Sequence, residues 1–219
     1  LFSTFTQFFR DPTALLYRLP AILIGLTVHE WAHAFAAWKL GDPTAKNMGR
    51  MTLNPLAHID PIGFISLILL GFGWAKPVPV NPHRYGRFRR DDLIVSTAGI
   101  AMNLLTAFAA FVIWLLLRKA FPSLIWNGAF TRIMQSIIVI DLSLAVFNLI
   151  PLPPLDGSHV AENLLGHLLP RFFGFLRRYG NYILLALLLT GVLSPFLSGI
   201  VTRLYNLMAD GAMAITGAF

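Results

Sequence analysis

TALLYRLPAILIGLTVHEWAHAFAAWKL, running from Thr13 to Leu40, is apolar enough to cross a membrane yet carries two histidines and a glutamate near its end. As a helix its 28 positions reach about 42 Å at 1.5 Å per residue, enough to span with tilt. Gly41-Asp42-Pro43 then stops it, and Pro20 and Gly25 are expected to kink it. Within the stretch, His29-Glu30-Trp31-Ala32-His33 stacks two imidazoles on one helical face. Both can ligate one metal ion while Glu30 stays free to act as a base. Ionisable groups inside a spanning helix are costly and mark function; the alternative is a polar contact that holds helices together.

Working outward, the 219 residues are 56% hydrophobic and 12% charged, with mean hydropathy +0.68. That composition excludes an ordinary soluble domain and predicts an all-α multi-pass membrane protein. No Ser/Gly-rich linker divides the chain, so residues 1–219 read as a single domain. The net charge of +7 would suggest nucleic acid in a soluble protein, but here the basic residues sit between apolar runs and set orientation, so no nucleic-acid partner is expected. With no cysteine there are no thiolate ligands and no thiol nucleophile. No basic-apolar-small signal pattern is visible at the start.

Further apolar segments run from about Leu93 to Leu117, Phe130 to Leu149 and Tyr182 to Val201, with an amphipathic stretch from Ser158 to Leu169. Ile62 to Ala75 has 14 residues and three glycines, too short to span, and reads as re-entrant. Alternation around Met51 to Leu53 suggests a small strand or hairpin. The tail from Arg203 onward is either interfacial or a short packed helix. The fold expected is a helical bundle of about five to six spans with a small membrane-associated β-hairpin and a re-entrant segment. If the Leu40 end faces the cytoplasm, that side holds 11 of the 17 Lys/Arg and the other side six, which favours a site opening toward the cytoplasm.

A catalytic zinc needs a third protein ligand and an open position for water. Asn148-Leu-Ile-Pro-Leu-Pro-Pro-Leu-Asp156-Gly157 offers one, because three prolines stop the preceding helix and Gly157 lets the backbone bend. Asp156 either completes a two-His, one-carboxylate site or caps the helix that follows.

Together these elements resemble the site-2 protease family of intramembrane zinc metalloproteases, whose hallmarks are His-Glu-x-x-His on one span and Asn-x-x-Pro-x-x-x-x-Asp-Gly on a later one. Gly99-Ile-Ala-Met-Asn103 is similar to the family's Gly-x-x-x-Asn element. Gly49 to Pro61 and Trp74 to Pro82 look like a compact prokaryotic branch, without an inserted PDZ-like domain or a nucleotide-binding module. The resemblance implies one Zn2+ per chain held by His29, His33 and Asp156, with Glu30 as general base. It makes Asn148 and Asn103 candidates for positioning substrate, and implies a prokaryotic plasma-membrane protein that cuts single-span membrane-protein substrates within the lipid bilayer.

A transmembrane helix must unwind before it is cut. Met51, Thr52, Leu53 and Asn54 are therefore expected either to pair with the unwound substrate as a strand or only to brace the catalytic helix. Asp141 is an intramembrane carboxylate that reads either as functional or as a bond to a neighbouring helix. His58 and Asp60 read as turn residues, His159, three residues after Asp156, as a candidate substitute ligand, and His83 and His167 as interfacial. The alternative function is a divalent-metal transporter using the same His/His/Asp site, although a carrier has no need of Glu30 as a free base and no inverted repeat is visible. Oligomeric state is not legible.

Overall fold

The structure is a computed structural model that describes residues 12–70, 73–122 and 128–217. The reading of the first residues as lacking a signal pattern lies outside them, as do residues 71–72 of the expected re-entrant segment. Among the described residues the chain forms eight α-helices and no strand. They are α1 (Pro12–Lys39), α2 (Thr44–Asn47), α3 (Pro61–Leu70), α4 (Phe88–Ala120), α5 (Gly128–Asn148), α6 (Asp156–Leu165), α7 (Pro170–Thr190) and α8 (Leu193–Thr216).

Helices α1, α4 and α5 pack against one another, and α8 closes one side of the α4/α5 pair. The core mixes small and large apolar residues of α4 with those of its neighbours. Ala107, Ala110 and Phe111 meet Ile138 and Leu142 of α5 and Ala212 of α8, all buried. Gly25, expected to kink α1, is instead a point of close approach. A side-chain carbon there would come within 2.8 Å of Leu144 and 3.3 Å of Asp141 on α5. α1 continues as helix through Pro20.

Among the described residues three helices, α4, α5 and α7, are long and apolar enough to cross a membrane. Five to six spans were expected, and the helices depart from that expectation at two places. α1 has the length, but Arg18, His29, Glu30, His33 and Lys39 interrupt its apolar sequence. The segment expected to span from Tyr182 to Val201 is divided where Gly191 adopts φ +72°, a left-handed conformation open to glycine, so that α7 ends and α8 starts afresh.

The expected hairpin is the other correction. Residues 51–53 form bends rather than a strand. The reason is local chemistry: the Asn54 N–H donates to the Thr52 hydroxyl at 3.2 Å and the Leu56 N–H to the Asn54 side chain at 3.1 Å. Pro55 brings no N–H, and the Thr52 carbonyl is taken by the His58 imidazole at 2.8 Å. These backbone groups are spent on a turn and cannot form a ladder. The extended backbone lies further on, where Ile59 bridges Ala75 and the Lys76 N–H donates to the His58 carbonyl at 2.8 Å. His58 and Asp60 keep the turn roles expected of them; Asp60 accepts the Gly63 N–H at the start of α3.

A cleft of about 1150 Å3 opens between α1, α3 and α5 on one side and α7 and α8 on the other. It runs along Tyr17 to Leu26 of α1 and ends one helical turn before His29.

Candidate metal centre

α1 and α4 run antiparallel past each other, which brings residues 29 and 33 of one helix against 103, 99 and 95 of the other. His29 Nδ1 lies 2.7 Å from Asn103 Oδ1, and His33 Nδ1 lies 2.7 Å from the Val95 carbonyl oxygen. These contacts fix the state of both rings. A carbonyl only accepts, so His33 Nδ1 carries the proton. The Asn103 amide nitrogen is engaged as a donor to the Gly25 carbonyl at 3.0 Å and to Asp141 at 2.7 Å, so its oxygen faces His29 and His29 Nδ1 is a donor too. In both neutral imidazoles the bare lone pair is therefore on Nε2.

Those two Nε2 atoms face each other at 3.0 Å, and Asp156 Oδ2 lies 3.2 Å from each. Three lone-pair atoms thus converge in a buried pocket, and Asp156 Oδ2 has no hydrogen-bond partner. Such a cluster is repulsive without a cation at its centre. Its dimensions suit zinc: ligands about 2.0 Å from a tetrahedral ion lie about 3.3 Å apart. The three residues form a group able to hold one metal ion, with both histidines buried.

Asp156 reaches the pair because of what precedes it. α5 ends at Asn148, the proline-rich turn reverses the chain, and α6 begins at Asp156 itself. The turn packs so tightly that a side-chain carbon on Gly157 would sit 2.4 Å from the Leu149 carbonyl oxygen. Gly99 plays the matching part on α4. A side-chain carbon there would come within 2.5 Å of His33 Nε2 and 2.6 Å of His29 Cε1. Since each ring is pinned through its Nδ1, neither can yield without breaking a buried bond. Gly99→Ala is therefore expected to bring zinc content well below that of the wild type, as read by metal analysis of the folded protein; zinc bound as in wild type would show that the rings have slack.

Glu30 stands apart from the three converging atoms. Its Oε2 accepts the Val78 backbone N–H at 2.7 Å, which leaves the other oxygen available. The structure therefore brings His29, His33 and Asp156 together, with Glu30 adjacent on the same helix as both histidines.

Asn103 is placed differently from its expected role. It is fully buried behind His29, and both ends of its amide are used to orient that ring and to tie α4 to α1 and α5, so nothing remains for a substrate. Asn148 is half-buried and donates to the Leu144 carbonyl of its own helix at 3.0 Å. Asp141 is the bond to a neighbouring helix, through Asn103. His159 turns toward Asp92 of α4, its Nδ1 3.8 Å from that carboxylate, and is not one of the converging ligands. The Asp92 carboxylate raises the His159 pKa above its ordinary value. Sequence reasoning missed the Val95 carbonyl and the Val78 N–H, because backbone groups leave no mark in residue identity. Gly99 could have been found from its position in Gly-x-x-x-Asn.

Comparison with known proteins agrees with this geometry. A family model described as "Peptidase family M50" matches residues 119–191, a range that includes Asn148 and Asp156. The chain is 39% identical over 162 residues to a Bacillus subtilis protein named "Putative zinc metalloprotease YwhC", covering 73% of this chain and 74% of that one. It is 33% identical over 182 residues to "Putative zinc metalloprotease Rip2" of Mycolicibacterium smegmatis, covering 78% and 66%. A protein of the same name from Mycobacterium tuberculosis is 30% identical over 190 residues, covering 84% and 71%. The chain thus spans 66% to 74% of the length of these relatives. No solved structure matches it.

Proposed function

Because this chain belongs to peptidase family M50, the site-2 protease family, we propose that it is a zinc metalloendopeptidase that hydrolyses peptide bonds within or near the transmembrane segments of single-span membrane proteins. The observation that carries the reading is the convergence of two imidazole Nε2 atoms and one carboxylate oxygen beside a glutamate that is not among them. In this assignment His29, His33 and Asp156 hold the zinc and Glu30 is the general base.

Zinc bound there supplies Lewis acidity, which lowers the pKa of water and polarises the scissile carbonyl. The chain's own residues do the rest. Glu30 takes a proton from the attacking water on the oxygen that Val78 leaves free, then delivers it to the leaving amine nitrogen. Asn103 and the Val95 carbonyl keep both imidazoles in the tautomer that presents Nε2. The cleft between α1/α3/α5 and α7/α8 is where a membrane-embedded substrate would lie, since it is mostly apolar in its lining and ends about 4.5 Å along α1 from His29.

The proposed setting is the prokaryotic plasma membrane with the site opening toward the cytoplasm. The support is the distribution of basic residues and the apolar length of α4, α5 and α7. The metal-carrier alternative is not favoured, because the relatives are named for proteolysis and a transport site has no use for a free carboxylate held as Glu30 is.

The test is cleavage by the purified chain in detergent. A single-span substrate is expected to be cut, the cutting to stop when zinc is chelated, and to return when zinc is restored. Cleavage that persists in the chelated protein would reject a metalloprotease; zinc flux into sealed vesicles without cleavage would favour the carrier.

A further inference from the structure

Glu30 is oriented from outside its own helix, and the group that does so is itself held in place. α1 ends in a tight reversal: the Gly41 N–H bonds the Trp38 carbonyl at 3.2 Å and the Asp42 N–H bonds the Ala37 carbonyl at 2.9 Å, with Gly41 at φ +105°. This reversal buries Asp42 completely. Its two carboxylate oxygens then do different things. Oδ1 accepts the backbone N–H of Thr44 at 3.0 Å and the Thr44 hydroxyl, which is a local turn. Oδ2 accepts the Asn81 N–H at 2.6 Å, across 39 residues of chain.

Asn81 ends the extended strap that begins at Lys76. Pro77 and Pro79 have no N–H, so Val78 and Val80 are the donors between Lys76 and Asn81. Val78 gives its N–H to Glu30 Oε2, and its side chain is buried against Ala34 and Ala45. At the strap's other end, the Arg50 guanidinium holds the carbonyls of Lys76 at 2.8 Å and Pro77 at 3.3 Å. From Val78 to Asn81 is about 10 Å of extended chain. A shift at the Asn81 end is therefore passed to the N–H that aims the Glu30 carboxylate.

We infer that Asp42 is a positioning residue for the catalytic carboxylate: by clamping the Asn81 N–H it fixes the strap whose Val78 N–H orients Glu30. The inference rests on the assignment of Glu30 as general base. Burial alone would push Asp42 toward the neutral acid, but the Thr44 and Asn81 hydrogen bonds outweigh it and hold the carboxyl below its usual range, so the clamp is ionised.

Asp42→Asn separates the two halves of this contact. An asparagine keeps one oxygen for the Thr44 turn but turns an NH2 group toward the Asn81 N–H, donor against donor. Zinc-loaded full-length protein is assayed for kcat and KM on a single-span substrate, with rates counted per zinc-loaded chain. The forms are wild type, Asp42→Asn, Thr44→Val, Val78→Pro and the Asp42→Asn/Val78→Pro double variant. Asp42→Asn is expected to lower kcat about tenfold with KM and zinc content as in wild type, since small misplacements of a catalytic group are costly. Thr44→Val, which loses the hydroxyl but keeps the Thr44 N–H bond and the Asn81 contact, lowers kcat less than Asp42→Asn does. The double variant is no slower than Val78→Pro alone, because Asp42 acts through a bond already removed. A double variant slowed by the product of the two single effects, or an Asp42→Asn enzyme with the wild-type kcat, would overturn the inference. A wild type that cuts nothing would refute the protease reading and this inference with it, whereas an active wild type confines failure to Asp42.

Discussion

Glu30→Gln is expected to lower cleavage of a single-span substrate by about 10²- to 10⁴-fold, the usual worth of a positioned general base, while zinc content stays at the wild-type level. The two halves of this result have separate causes. Zinc is retained because no Glu30 atom belongs to the converging triad of His29 Nε2, His33 Nε2 and Asp156 Oδ2. Activity is lost because an amide oxygen cannot take a proton from water at neutral pH. The substitution is also gentle on structure, since glutamine keeps an oxygen to accept the Val78 N–H. Rate and metal content are measured on the same preparation. A glutamine variant that cuts within a few-fold of wild type would remove Glu30 from the mechanism; one that loses both zinc and activity would make it a support of the metal site instead.

The site was more legible than the fold around it. The four-residue spacing of His29 and His33 fixes a shared helical face whatever that helix packs against, and the proline-rich run before Asp156 announces a reversal through residue type alone. Both signals are local. The contacts that complete the site are not. The Val95 carbonyl meets His33 because α4 runs antiparallel beside α1, and the Val78 N–H meets Glu30 because a strap 48 residues away in sequence is pinned across it. Asn103 shows how a motif can be found and its duty misread. Its place in Gly-x-x-x-Asn was visible, but whether its amide faces substrate or the back of His29 depends on Gly25 and Asp141, which only packing brings to it.

Among the helices, α4 and α5 were visible because long unbroken apolar runs leave few alternatives; α4 extends a few residues past both expected ends, while α5 starts two residues earlier and ends one residue sooner than expected. The Met51 to Asn54 strand failed because a three-residue alternation is weak beside the turn chemistry of Thr52, Asn54 and Pro55. The expected span from Tyr182 to Val201 failed for a related reason. Hydropathy carries no record of the left-handed turn at Gly191, and the flanking leucines read as continuous.

Asp156→Ala is expected to release the zinc although both histidines remain. Two neutral imidazoles alone leave the ion with neither a third ligand nor a compensating charge, and a catalytic site requires three protein ligands. The nearby His159 offers no substitute, because it turns toward Asp92 of α4. Circular dichroism should show the helical content unchanged, since α6 is capped by Leu155, whose side chain makes no capping bond, and Asp156 is its first helical residue. Zinc per folded chain, measured by elemental analysis of wild type, Asp156→Ala and His159→Ala purified side by side, tests the metal centre most directly. Near one zinc per chain in wild type and His159→Ala with almost none in Asp156→Ala is the result predicted; zinc kept by Asp156→Ala and lost from His159→Ala would contradict it.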